Sequence, residues 1–218
     1  MDKSVFYLTG IISVAVFVAG LFVGIWLDDQ RLEETRGKIT GIDIEWNDAR
    51  LQNLFFQTAL AGNSDSCNSL IEGNLQFSDK VYKQGLEIER FESVNKFTPQ
   101  LLEEKKRYAL LQMQFWLNSA QLKKACNATY STVVYFYSQY NESSAVDQRL
   151  QSTVLSELKN KCGNKIMLIP LPTDLDIVSI NQVKETYGIK STPSILVNEK
   201  DILTGIKTLG ELEGSVKC

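Results

Sequence analysis

The sequence predicts a chain in three parts: a membrane-spanning helix, an antiparallel α-helical hairpin of coiled-coil type, and a C-terminal α/β domain. Three observations predict this. Residues 5–27 carry no formal charge. Between residues 39 and 125, apolar side chains recur in alternating steps of three and four, the period of one helix face. After residue 131, β-branched and aromatic runs alternate with helical stretches, an order that builds a parallel strand pair. The expected domains are 5–27, 38–126 and 129–218.

Composition narrows the chemistry. A net charge of −3 with no long basic run argues against nucleic acid as the partner. The chain has no histidine, which removes Ser-His and Cys-His nucleophile pairs and the commonest transition-metal ligand. Four cysteines, Cys67, Cys126, Cys162 and Cys218, are widely spaced and form no CxxC. That disfavours a zinc ribbon or a standard redox pair. An even, dispersed set suits structural disulfides in an oxidising compartment, the alternative being four buried thiols. No cofactor is expected.

Residues 5–27 are long enough to span a bilayer with some tilt, with Tyr7 and Trp26 near the ends where amphipathic rings favour the headgroups. A cleaved signal peptide is the competing reading. The apolar run is long for an h-region, only Lys3 precedes it, and Gly24-Ile25-Trp26 is a poor cleavage site. An uncleaved single-pass signal anchor is therefore expected. Lys3 lies before the span and Arg31, Arg36 and Lys38 after it, a weak bias toward a cytoplasmic C-terminal side. A long folded domain crosses largely regardless of such charges. The cysteines favour an oxidising space, and Asn127-Ala-Thr and Asn141-Glu-Ser are glycosylation sequons. The soluble part is expected outside the cytoplasm. Gly20 and Gly24 form a GxxxG that would let a second copy approach closely, although glycine is frequent in any spanning helix.

Ile39, Ile42, Trp46, Ala49, Asn53, Phe56 and Leu60 trace the first helical stripe, which Gly62-Asn63 ends. Ser64 or Ser66 caps a second, carried by Leu70, Asn74, Phe77, Val81, Gln84, Ile88 and Phe91. After a break at 93–98, Thr98-Pro99 is a helix start, and Leu101, Tyr108, Leu111, Phe115, Leu122 and Ala125 carry the third stripe. The midpoint between Cys67 and Cys126 falls between Lys96 and Phe97, inside that break. Two antiparallel helices folding there place these cysteines side by side, within disulfide reach.

The last part reads as strand 132–137, helix 144–161, strand 165–171, helix 178–187, strand 194–197, strand 201–207 and helix 209–216, the two final strands forming a hairpin about 198–201. Asp174 and Asp176 flank one leucine with no third ligand nearby, and are expected to solvate a loop or cap the next helix, with no metal.

The element order, the Phe136-Tyr137 strand end, and Tyr187-Gly-Ile-x-x-Thr-Pro-Ser-x-Leu-Val197 together resemble the thioredoxin-like superfamily over residues 129–218. The resemblance implies a cis-proline at Pro193 and puts the redox cysteine positions at Asn141 and Ser144, neither of which can attack a disulfide. Both can cap the helix that follows. The family's buried carboxylate position falls on Tyr135. What the resemblance leaves is a peptide groove beside Pro193, with Thr192 offering its backbone and Tyr140 and Ile189 as walls. It also puts the helices ending in Cys162 and Cys218 on one face, within bridging distance. Those two would act as a structural staple or as a displaced reactive pair. Cys162 sits at a helix C-terminus, where the dipole disfavours a thiolate, which favours the staple. Two functions are expected to compete: a protein-binding or scaffolding module holding an unknown protein partner, and a thiol–disulfide oxidoreductase, or an accessory to one, using Cys162 and Cys218.

Overall fold

The computed structural model describes residues 3–62, 66–94, 99–216 and 218. Predicted features at Ser64 and Thr98, and the side chains of Lys3, Tyr7, Arg31, Arg36, Lys38, Ile39, Ile42, Leu60 and Phe91, lie outside the described residues. The chain divides into two units, Met1–Asp43 and Ile44–Cys218.

Helix α1 runs Lys3–Gly62 without interruption, where the sequence predicted a span followed by a separate helix. Residues 28–38 contain no proline, and their many Glu, Gln, Leu and Arg residues are good helix formers. Gly37 alone costs about 1 kcal/mol relative to alanine, too little to break a helix continued on both sides. In the first unit, Gly10–Leu27 is long and apolar enough to cross a membrane, with mean hydropathy 2.5 and none of it buried. A signal sequence near an N-terminus would have the same properties. Nothing lies within 4 Å of where a Cβ would stand at Gly20 or Gly24.

In the second unit, α2 (Cys67–Val94) and α3 (Pro99–Cys126) pair antiparallel. Contacts step down one helix as they climb the other: Cys67 is bonded to Cys126, Asn74 to Ser119, and Phe77 packs on Phe115. Further along, the Tyr108 hydroxyl donates to Val81 O at 2.7 Å. The C-terminal part of α1 joins them through Ala49 and Phe56, and Asn118 donates to Ala49 O at 2.8 Å. The predicted stripes of α1 and α2 are buried at Ala49, Phe56, Leu70, Asn74, Phe77, Val81 and Ile88. On α3 the stripe is incomplete. Ala125 is exposed, whereas Trp116 and Ser119, off the stripe, are buried. The reason is that α3 has two partners, the other helices and a sheet, so its buried face is wider than one seam.

The sheet contains β1 (Ser131–Tyr137), β2 (Ile166–Pro172), β3 (Ser194–Val197) and β4 (Asp201–Thr204), in the order β2-β1-β3-β4. β1 is parallel to β2 and antiparallel to β3, and β3 is antiparallel to β4. Helix α4 (Ala145–Cys162) connects β1 to β2, α5 (Val178–Thr186) connects β2 to β3, and α6 (Leu209–Ser215) follows β4. β4 stops short of the predicted residue 207 because Gly205 turns to φ +76°, its N–H donating to Pro193 O at 2.9 Å. On one face of the sheet, Val133, Tyr135, Ile195 and Val197 pack with Leu155 and Leu158 of α4 and Leu212 of α6. On the other, Met167 meets α2 and Thr132 meets the β3–β4 turn through polar bonds.

Two disulfides are present, Cys67–Cys126 and Cys162–Cys218, with Cα separations of 5.5 and 4.9 Å. Lys159, 6% exposed, holds the end of α4, donating to Gly163 O at 2.9 Å and Ile166 O at 3.0 Å. Burial pulls its pKa down, and Asp79 at 3.9 Å opposes that shift.

Candidate functional site

The C-terminal ends of the parallel strands β1 and β2 open at one edge of the domain, where ligands of α/β sheets commonly bind. There the chain leaves Tyr137, passes through Ser138–Gln139–Tyr140, and makes a short 3₁₀ turn, Glu142–Ser144, into α4. Asn141 caps that turn, its Oδ1 accepting from Ser143 N at 3.1 Å and Ser143 Oγ at 2.6 Å. Ser144 occupies the N-cap position of α4 but makes no side-chain cap bond, contrary to expectation. Its hydroxyl donates to Asn141 O at 3.3 Å and accepts from Gln148 Nε2 at 2.6 Å. At φ −101° and ψ 2°, Ser144 lacks the extended backbone of a capping residue. Gln148 in turn accepts from Ser138 N.

Asp174 corrects the sequence reading more sharply. It neither solvates its loop nor caps α5, whose N-cap is Ile177 without a side-chain bond. Its carboxylate reaches across from the β2 end to the β1 end, accepting from Gln139 N at 2.8 Å, Tyr140 N at 2.9 Å and Ser138 Oγ. Thr173 reinforces the link, donating to Tyr137 O from its N–H at 2.8 Å and its hydroxyl at 3.0 Å. Asp176 is exposed, at φ +54°. No sequence spacing marks Asp174, Ser138 or Gln148 as a set, because a parallel crossover brings them together. Replacing Asp174 with alanine should raise hydrogen exchange at the Gln139 and Tyr140 amides at least about tenfold, since bonds to a carboxylate contribute about 1.5–3 kcal/mol. Unchanged exchange at both amides would show that the loop holds its shape without the carboxylate.

The Thr192–Pro193 bond is cis, and Pro193 is buried beside the end of β1. Thr192 is half-buried, and among the described residues no hydrogen bond engages its backbone or hydroxyl. Tyr140 is 52% exposed. Ile189 is buried, and its N–H donates to Lys184 O at the end of α5 at 2.8 Å. Tyr135 is buried, donates to Gln148 O at 2.9 Å, and burial pushes its pKa up, so it stays neutral.

Among the described residues, no cysteine lies at this corner. Cys162 sits at the opposite end of α4, roughly 27 Å along the axis from Ser144 at 1.5 Å per residue. It is buried and bonded to the exposed Cys218. Asn127 and Asn141 of the two sequons are both exposed. Among the described residues, no three His, Cys, Asp or Glu side chains converge as a metal site.

No family model matches this chain, and no curated protein matches it. Among solved structures, one described as "Structure of a malarial protein" is similar over 39% of this chain and 91% of its own, at 20% identity and a TM-score of 0.30.

Proposed function

We propose that this chain is a membrane-anchored protein-binding module, displayed outside the cytoplasm, whose thioredoxin-like C-terminal domain lacks the redox pair. The thioredoxin-like reading is supported by a parallel β1–β2 pair joined by a helix, an antiparallel β1–β3–β4 continuation, and α4 and α6 on one face. The anchor is supported by the exposed apolar helix Gly10–Leu27, and the oxidising side by two disulfides.

One observation carries the binding reading. The Asp174 carboxylate fixes the 138–140 loop so that Tyr140 projects into solvent, at the same end of the sheet as the unengaged backbone of Thr192. A held loop, an exposed aromatic ring and an open main-chain edge suit capture of an extended segment of a partner protein. Thiol–disulfide exchange through Cys162 and Cys218 has one observation in its favour, the exposure of Cys218. Burial of Cys162 among Leu155, Leu158 and Leu212 favours a staple instead.

A photo-crosslinking residue placed at Tyr140 in the full chain, in intact membranes, should give discrete adducts. The same residue at exposed Asn160, at the far end of α4, should give none. Equal capture at both positions, or none at Tyr140, would sink the binding reading.

A further inference from the structure

Along the outer edge of β2, between α2 and α4, lies a cavity of about 600 Å³, within the size range of small-molecule sites. Gly85 on α2 shapes one wall. A Cβ there would stand 2.3 Å from the Tyr108 hydroxyl, so only bare backbone lets that ring lie against α2. Tyr82 and Leu86 continue the wall. The rings of Tyr135 and Tyr137, which also line the cavity, stack with centroids 5.7 Å apart. Walls built of aromatic rings suit a flat apolar body.

The main chain of β2 adds a polar edge. β2 is an edge strand, so its N–H and C=O groups alternate between β1 and the outside. Thr173, directly after β2, gives its N–H to Tyr137 O, so odd-numbered positions face β1. Even-numbered positions face outward, toward α2: Lys159 Nζ donates to Ile166 O at 3.0 Å while standing 5.8 Å from the Tyr82 ring centroid. Leu168 and Pro170, the next two outward positions, are half-buried and line the cavity. Leu168 presents both an N–H and a C=O there, and Pro170 a C=O alone. Among the described residues, no hydrogen bond reaches these three groups. Pro170 and Pro172 cannot donate to a further strand, which excludes an edge-paired peptide as the occupant.

Other lining groups have placed their protons elsewhere. Tyr108 donates to Val81 O at 2.7 Å and Tyr135 to Gln148 O at 2.9 Å. Gln148 gives its Nε2 to Ser144 Oγ at 2.6 Å. The occupant therefore supplies the donors for the two carbonyls. A hydroxyl fits Leu168 better than an N–H does, because it donates to the carbonyl and also accepts from the N–H. Main-chain groups left without partners are costly, so an occupant that satisfies them gains affinity.

We propose that this cavity binds a neutral aromatic molecule with two hydroxyls along one edge, which donate to the carbonyls of Leu168 and Pro170 while the ring packs on Tyr82, Leu86 and Tyr108. The two carbonyls are two residues apart on one strand, so the hydroxyls are spaced by about 7 Å and point the same way. Binding draws on no charged group. The occupant is distinct from the protein segment assigned to the Tyr140 end, and the site does not depend on that assignment.

The test is calorimetric titration of the full chain in lipid nanodiscs, with empty discs subtracted. The probes are 2,7-dihydroxynaphthalene, its 2,6-isomer and 2,7-dimethoxynaphthalene. The 2,7-diol carries its hydroxyls on one long edge about 7 Å apart, matching the strand repeat, whereas the 2,6-diol has them on opposite edges. The 2,7-diol should bind saturably and at least about fivefold more tightly than the 2,6-diol, which reaches only one carbonyl. The dimethoxy compound has no donor and should bind at least about tenfold more weakly than the 2,7-diol. Ser152→Trp, filling the cavity from α4, should abolish binding of all three while both disulfides still form. Tyr82→Ala removes a ring from the wall, should weaken both diols at least about fivefold and keep their ratio, and serves if Ser152→Trp does not fold. No saturable binding of the 2,7-diol, equal affinity for the two diols, equal affinity for the 2,7-diol and its dimethyl ether, or undiminished binding in Ser152→Trp or Tyr82→Ala would each overturn the proposal.

Discussion

Trp116→Ala should lower the unfolding free energy by about 4 kcal/mol, within the usual range for truncating a fully buried aromatic. The indole is 1% exposed and lies between α3 and the β-sheet domain, with its ring 5.9 Å from that of Tyr187. Its Nε1 donates to Glu199 Oε1 at 2.7 Å, and the same oxygen accepts from Thr132 Oγ1 at 2.5 Å. Truncation therefore opens a cavity and also removes a donor from a half-buried carboxylate. Trp116→Phe separates the two effects. It keeps most of the packing and loses a hydrogen bond to a charged group, which contributes about 1.5–3 kcal/mol. Chemical denaturation of the full chain measures both variants. A loss below about 1 kcal/mol for Trp116→Ala would mean that this contact does not tie the helices to the sheet.

That junction was the part of the fold least visible in the sequence. Asn198 and Glu199 read as a polar hairpin turn, and both do take positive φ, +53° and +56°. Nothing in the local pattern showed that the turn docks on α3, where Lys123 Nζ donates to Asn198 Oδ1 at 2.6 Å. Periodicity reports one buried face per helix. It located Leu111, Phe115 and Leu122, but gave no sign that Trp116 and Ser119 would be covered from a second direction. Strands β1 and β3 were legible because central, β-branched runs are buried on both faces, and the edge strand β2 because of its apolar run over residues 166–169. The short edge strand β4 was overextended by three residues, since Gly205 ends it by conformation and not by polarity.

At the candidate site, the residues adjacent in sequence were easier to read than those brought together by the crossover. Asn141 and Ser144 could be placed at a helix start, as local capping chemistry allows, although only Asn141 uses its side chain as a cap. Asp174 lies more than thirty residues from the loop it holds, and a carboxylate in a polar stretch has many ordinary explanations.

Replacing Cys67 and Cys126 together with serine should cost about 4 kcal/mol, from the loop-closure entropy that a cross-link over 59 positions removes from the unfolded chain. The loss should be concentrated near the open end of the helix pair, where Phe56, Leu70 and Leu122 pack with the half-buried Cys126. Hydrogen exchange should therefore quicken first in the α2 and α3 turns nearest the cysteines, and only later around Tyr108. The Cys162–Cys218 pair spans 56 positions, so chain entropy alone gives it nearly the same effect. A clearly smaller loss on its removal would mean that the exposed Cys218 is held by the packing of Val216 beside it without the bridge. Peptide mapping without reductant should recover residues 67 and 126 in one linked fragment. Recovery of both as thiols, or a double serine variant as stable as the parent, would show that helix packing alone closes that end.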